Sequence, residues 1–281
     1  MRRAKWIMQL GLAGATAQCP VHAQLRINEA CSSNQGVLQA PDGGTPDWIE
    51  LVNEGSAPIE LQQYYLSDKQ DQPQQWRLPE YALQPGEHLL VLHGEAEGRF
   101  PFGISRDGER LVLSDANLLP VHVMHVPRLV PDHSAGFVNG ELRIFDEPTP
   151  GAPNTTTAYY GYAPQPTLNP APGFHANGAN VSASVPFGQV HWTTNGRVPT
   201  MNDAVASAPL SVGATTIVLA RTFADGWLPS ETSSGSYITR APRGMPVISI
   251  AVDPDSMFHE EFGLYMMGPN ASPDWPHYGA N

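Results

Sequence analysis

The stretch that most limits what this chain can fold into is Asp47-Trp48-Ile49-Glu50-Leu51-Val52-Asn53. At a period of two, Trp48, Glu50 and Val52 alternate with Ile49, Leu51 and Asn53. Most of the apolar content falls on one pleat face with a Trp on the other, the pattern of a strand in a two-layer β domain. Turn chemistry brackets it, with Asp42-Gly43-Gly44-Thr45-Pro46 ahead and Asn53-Glu54-Gly55-Ser56 behind.

Short candidate strands recur on both sides. Leu25-Arg26-Ile27-Asn28-Glu29-Ala30 alternates before it. After it come Ile59–Leu61, Tyr64–Asp68, Gln75–Leu78, His88–Leu92, Arg110–Leu113 and Val121–Met124. Gln84-Pro85-Gly86, Arg106-Asp107-Gly108 and Val138-Asn139-Gly140 separate later members as turns. That spacing predicts an antiparallel sandwich or barrel over residues 25–154. The composition agrees: 28 Pro and 26 Gly with 15% charged residues suit many short strands rather than long helices. A length of 281 residues accommodates two domains and part of a third.

Several motifs in this segment carry a resemblance. Ile27-Asn28-Glu29, the Asp47–Asn53 strand, Leu66-Ser67-Asp68, Leu83-Gln84-Pro85-Gly86-Glu87 and the closing Pro148-Thr149-Pro150-Gly151-Ala152-Pro153-Asn154 stand in the order found in bacterial lamin-tail domains. The resemblance implies an immunoglobulin-like β-sandwich with no general catalytic residues. Tyr64-Tyr65 stands where that family more often has Gly-Trp.

Residues 155–167 read as a linker containing the aromatic run Tyr159-Tyr160-Gly161-Tyr162. Such rings either stack on sugars or pack between neighbouring domains. Residues 168–239 then form a smaller β unit. Val181–Val185 alternates, Gln189–Thr194 runs into Asn195-Gly196 as a type I′ hairpin signal, and Thr215–Thr222 is β-branched and apolar. Ser234–Ile238 closes it. Trp192-Thr193-Thr194-Asn195-Gly196-Arg197-Val198-Pro199-Thr200, with Ala220–Gly226 and Ser230, resembles the small C-terminal immunoglobulin-like domain of chitobiases and β-hexosaminidases. That is an accessory domain, so no hydrolase residues follow from it.

Residues 244–281 open with an apolar strand candidate, Gly244–Pro254, that ends in an acidic turn, followed by one helical turn over 255–258 and a second strand candidate in 260–267. Gly263-Leu264-Tyr265-Met266-Met267-Gly268-Pro269 and Pro276–Asn281 resemble the start of a CotH-type, spore-coat kinase domain. By that resemblance the nucleotide- and metal-binding residues lie farther along than Asn281.

Residues 1–23 read as a secretory signal peptide: Arg2, Arg3 and Lys5, a short apolar run from Trp6 to Ala17, and Val21-His22-Ala23 as a cleavage site. Removing them takes away three basic and no acidic side chains, moving the formal charge from −12 to −15. That balance excludes phosphate-backbone binding, and hence nucleic acid, as the main task. After cleavage the chain does not span a membrane and keeps only Cys31, so it has no internal disulfide.

No Walker loop, serine elbow or His-Glu-x-x-His occurs. His122 and His125 fall on opposite strand faces. Asp253, Asp255, Glu260 and Glu261 read as a solvated turn, with an oxygen-ligated cation as the alternative. Asp47 and Glu50 are expected in turn-capping or strand-edge roles. Trp48, Leu51 and Trp76 are expected as structural core. Trp192, Trp227, Tyr160 and Tyr162 are the carbohydrate-binding candidates. No catalytic residue, cofactor or metal is assigned. The expected whole is an all-β, secreted or cell-surface protein: two immunoglobulin-like β-sandwiches in tandem plus an incomplete C-terminal segment. Three functions follow: a non-catalytic region attaching to cell-surface polysaccharide or protein, the front of an exported atypical kinase, or a spacer without ligand.

Overall fold

A computed structural model describes residues 24–242, 244 and 246–266. The expected signal peptide at 1–23 and the last part of the kinase-like segment, 267–281, lie outside the described residues. The chain divides into two compact units. One runs to Ala135 and includes Pro148–Asn154; the other takes Gly136–Glu147 and the chain from Thr155 on. Both are built of strands, so the fold is all-β and immunoglobulin-like.

The strands of the N-terminal part are β1 (Leu25–Cys31), β2 (Trp48–Asn53), β3 (Ile59–Glu60), β4 (Tyr65–Ser67), β5 (Trp76–Arg77) and β6 (Ala82–Leu83), then β7 (His88–Leu92), β8 (Glu109–Ser114), β9 (Pro120–Val126), β10 (Ser134–Val138) and β11 (Glu141–Phe145). One sheet has the order β11-β10-β1-β2-β7 and a second β5-β4-β8-β9, with β3 and β6 paired beside them. The central strand β2 is buried along its whole length, both faces included. Trp48, Ile49 and Leu51 are each fully enclosed, as are Leu66, Leu111, Leu113 and Met124 on the second sheet.

Two expectations change here. Trp76 is half-buried rather than central, packing edge-on against the fully buried Phe100 at 6.1 Å between ring centroids. Glu50 is no edge residue: it has no exposed surface, because β1 and β7 flank its strand on both sides. Asp47 does act as a cap, its carboxylate accepting the Ile104 N–H at 3.0 Å.

β1 pairs antiparallel with β2, and the register slips between Ile27 and Glu29. Ile27 opposes Leu51, Asn28 is the extra residue, and Glu29 opposes Glu50. This is a β-bulge, two residues on one strand against one on its partner.

The second unit continues with β12 (Thr167–Asn169), β13 (Gly173–Phe174), β14 (Ala179–Ser184), β15 (Gln189–Thr193), β16 (Ala204–Val205), β17 (Leu210–Val212), β18 (Thr216–Phe223) and β19 (Ser233–Ile238). One sheet is β12-β14-β17 and the other β13-β19-β18-β15-β16. The sandwich is not wholly antiparallel, since β13 runs parallel to β19. Its core joins the two layers: Val181 and Val212 from one meet Val190, Trp192, Val218, Ala220 and Tyr237 from the other. The Tyr237 hydroxyl reaches the Pro170 carbonyl at 2.8 Å, so this buried phenol is satisfied.

Turn chemistry also separates expectation from structure. Asn139-Gly140 has both residues at positive φ, 51° and 80°, and links β10 to β11 as a type I′ pair. At Asn195-Gly196 only Gly196 (φ 86°) is positive. There the Asn195 side chain accepts the Arg197 N–H at 3.0 Å, an Asx turn that leads into the ten-residue connection before β16 rather than a tight hairpin.

The C-terminal segment forms the single helical turn α1 (Pro254–Phe258), with Asp253 as its N-cap. Among the described residues, the strands expected in 244–254 and 260–267 do not form. Val247, Ile248, Ile250 and Val252 are exposed and have no ladder partner, and a strand without a neighbour leaves its backbone groups to water. No helix among the described residues is long and apolar enough to cross a membrane.

Candidate functional site

Two places concentrate side-chain chemistry. The first is an open groove of about 1030 Å³ within the second unit. Its wall is aromatic: Trp227 and Phe223, with Tyr159 alongside. Its polar groups are Asp146, Asp225, Gln189 and His191. His191 is buried and anchored; its Nδ1 donates to the Asp203 carbonyl at 2.9 Å, and its ring meets Phe223 edge-on.

Beside this groove the rings form a connected cluster. Tyr160 lies 5.8 Å from Trp227, and Phe187 5.0 Å from Trp227 on another side. The Arg143 guanidinium sits 4.6 Å above the Tyr160 ring, a cation–π contact that fixes the phenol. Tyr160 is 61% exposed and Phe187 43% exposed, while Trp227 is half-buried. Gly226, at φ 74°, lets this approach happen: a Cβ there would fall 2.9 Å from the Tyr160 ring.

The carbohydrate candidates therefore separate. Trp227 lines the groove, and the exposed Tyr160 ring lies beside it at 5.8 Å. Tyr162 is half-buried and joined to Leu228 by an isolated bridge, and so is held against the backbone. Trp192 is 8% exposed within the sandwich core and presents no ring face to solvent. Its neighbours on both sheets are apolar, which is why an indole on an alternating strand settled inward. Sequence reading missed Phe187 and Arg143; the Pro186-Phe187-Gly188 turn was the one available signal, an aromatic at a turn apex.

The second place is the Glu29–Glu50 pair in the first unit. Both carboxylates are fully buried and directly opposed across β1 and β2. Glu50 accepts from Asn28 Nδ2 at 2.7 Å and from the Gly151 N–H at 2.5 Å, and it pairs with His88 Nδ1 at 2.7 Å. Glu29 is met by the Ser134 hydroxyl and by Thr149, whose N–H and hydroxyl lie 3.4 and 3.3 Å away. Asn154 joins the network through Asn28 (3.3 Å) and Thr149 (3.2 Å). Burial pushes Glu29 up to about 7, with the nearby Glu50 charge acting in the same direction. The closing Pro148–Asn154 stretch is thus fastened by two carboxylates.

Elsewhere the candidate residues are spoken for. His122 accepts the Ile27 N–H at 3.4 Å, and burial lowers its pKa to about 4; His125 is exposed on the other face. Asp255 is engaged by Arg197 through two contacts at 2.8 and 2.9 Å. Among the described residues no group of three or more His, Cys, Asp or Glu is placed to hold a metal ion.

The immunoglobulin-like sandwich of the first unit is of a class that commonly serves in binding or structure. In the first unit the likeness is specific: residues 20–125 match the family model of the Lamin Tail Domain. No curated protein matches the chain.

Proposed function

We propose that the chain is an exported, non-catalytic positioning region that attaches to cell-surface polysaccharide through the groove of its second unit. The observation that carries this is the Tyr160–Trp227–Phe187 cluster, rings left accessible beside Asp146, Asp225 and Gln189. Sugars offer apolar C–H faces and a rim of hydroxyls. An aromatic wall with carboxylate and amide acceptors answers both. The accessory-domain resemblance of residues 168–239 supports the same reading, and the lamin-tail unit serves as a rigid mount. The further reading, that a CotH-type kinase domain is carried by the same protein, draws on the residue resemblance at 244–281 alone.

The test is a glycan array followed by pull-down of the purified chain on insoluble cell-wall polysaccharide. Retention is expected, and Trp227→Ala and Tyr160→Ala each weaken it at least tenfold without lowering the thermal midpoint appreciably. A chain that is not retained, or variants that bind like the parent, would leave the spacer reading in its place.

A further inference from the structure

We infer that the opposed Glu29–Glu50 pair is a proton-dependent latch: a proton shared into this buried pair holds the Pro148–Asn154 segment on the sheet, and its loss releases that segment. The geometry comes from the bulge. One extra residue at Asn28 brings Glu29 directly across from Glu50, both without exposed surface. Like charges at directly opposed cross-strand positions repel, and more so in a dry interior.

Each carboxylate also grips the same short segment from a different strand. Glu29 on β1 accepts from Thr149 N–H, and Glu50 on β2 accepts from Gly151 N–H. The segment therefore sits on the pair as a strap on two posts. Charging both posts at once sets them against each other beneath it.

The other groups around the pair do not neutralise it. From β7, the His88 ring meets Glu50 at 2.7 Å. From β10 comes the neutral Ser134 hydroxyl, and from the segment itself the neutral Thr149 and Asn154. Along β1, Arg26 pairs with Glu54 at 2.9 Å and donates to Asn28 Oδ1 at 3.1 Å, and Cys31 is a buried thiol pushed up to about 12 by burial. From β9, His122 receives the Ile27 N–H and is held neutral by burial. None of these contacts places a guanidinium or ammonium on Glu29 itself, which faces the other carboxylate across the bulge. Burial and the Glu50 charge together raise Glu29 to about 7, placing the change in the neutral range.

The readout is amide hydrogen exchange of the full chain, corrected for intrinsic rates, at the two amides bound by the carboxylates, Thr149 and Gly151. Between pH 5 and pH 8 their opening equilibrium should rise by roughly 50-fold, the factor that a shift from 4.5 to about 7 implies. Amides of β8, distant from the pair in the strand order, should keep their protection. Glu29→Gln, a permanently neutral stand-in, should give protection at Thr149 and Gly151 that no longer varies with pH. Flat protection in the parent chain overturns the latch, and that result stands even if the variant fails to fold. A pH dependence that survives intact in Glu29→Gln overturns it as well, by assigning the effect to His88 or another group.

Discussion

The two units differ in which polar side chains they bury: carboxylates and amides in the first, His191 and the hydroxyls of Thr193, Thr222 and Ser230 in the second. In the first, Asn28, Glu29, Asn34, Glu50, Asn53 and Ser134 are all buried. Asn53, for example, ties the Ala57 and Leu83 carbonyls at 2.9 and 2.8 Å. The second keeps an apolar core around Tyr237 and Trp192 and turns aromatic rings outward at Tyr160 and Phe187. Buried polar networks fix one arrangement of loops and strands, because each unmade bond leaves a stranded group. Exposed rings held by a firm core are suited to meeting a partner. On the proposed function, the first unit is the mount and the second makes the contact.

That contrast can be broken most strongly at the cores. Trp48→Ala and Tyr237→Ala each remove a fully buried ring and are expected to cost about 3–5 kcal/mol in urea denaturation. Their functional consequences should diverge. Trp48→Ala should leave polysaccharide retention at low temperature near the parent level, whereas Tyr237→Ala should abolish it. Equal loss in both would remove the division of labour.

A smaller effect sharpens the account of the first unit through pH. Glu29 is raised to about 7 from 4.5, so the folded chain keeps a proton that the unfolded chain releases. The stability this supplies is complete below pH 4.5 and is lost as pH rises through 7. His122 is lowered to about 4 from 6.5 by burial and by the Arg26 charge. Its contribution is complete above pH 6.5 and is lost as pH falls toward 4. Between about pH 4.5 and 6.5 one folded group binds the extra proton and the other lacks it, so the two slopes oppose and nearly cancel. His122→Gln removes one side. The stability of the first unit should then fall with rising pH across that window, by roughly 2–3 kcal/mol in all, as read from urea midpoints. A profile as level as the parent's would show that the two groups do not offset each other.

The least effect is expected at Arg197, which meets Asp255 on the surface with both side chains about half exposed. Such pairs are screened and contribute little. Arg197→Ala should leave the thermal midpoint unchanged within error. A clear drop would mean that α1 is a structural part of the second unit.

Much of this architecture was readable in the residues. Trp48, Leu51 and the short alternating runs announced sheets, because burial on a pleat leaves a period of two and turns leave Gly, Pro and Asn. Very short strands such as β6, β13 and β16 were not readable, since two residues carry no period. Asn195-Gly196 and Asn139-Gly140 look alike as dipeptides. Which becomes a type I′ turn depends on whether the flanking segments find each other across the loop, a tertiary matter. The apolar 247–252 run read as a strand because composition registers hydrophobicity but says nothing of a neighbour to pair with. At the groove, Tyr160 and Trp227 were visible as aromatics. Their convergence was not, because 67 residues separate them and only the folded loops bring them together. Glu50 was misplaced for a related reason: nothing in Asp47–Asn53 reveals that β1 and β7 will enclose it.

The supernumerary Asn28 has a consequence for how β1 can change. Up to Ile27 the odd-numbered side chains share the side of Leu51; past Asn28 the odd-numbered Glu29 shares the side of Glu50 instead. The strand thus switches parity in mid-course, and that switch lets Ile27 and Glu29 occupy unlike surroundings although they are two apart. Excising Asn28 would restore plain alternation and leave Glu29, Ala30 and Cys31 opposite Glu50, Ile49 and Trp48 as before. A one-residue deletion here would thus be absorbed by the pleat, at the cost of the Asn28 contacts to Glu50 and Asn154, whereas the same deletion at any other position of β1 would shift it.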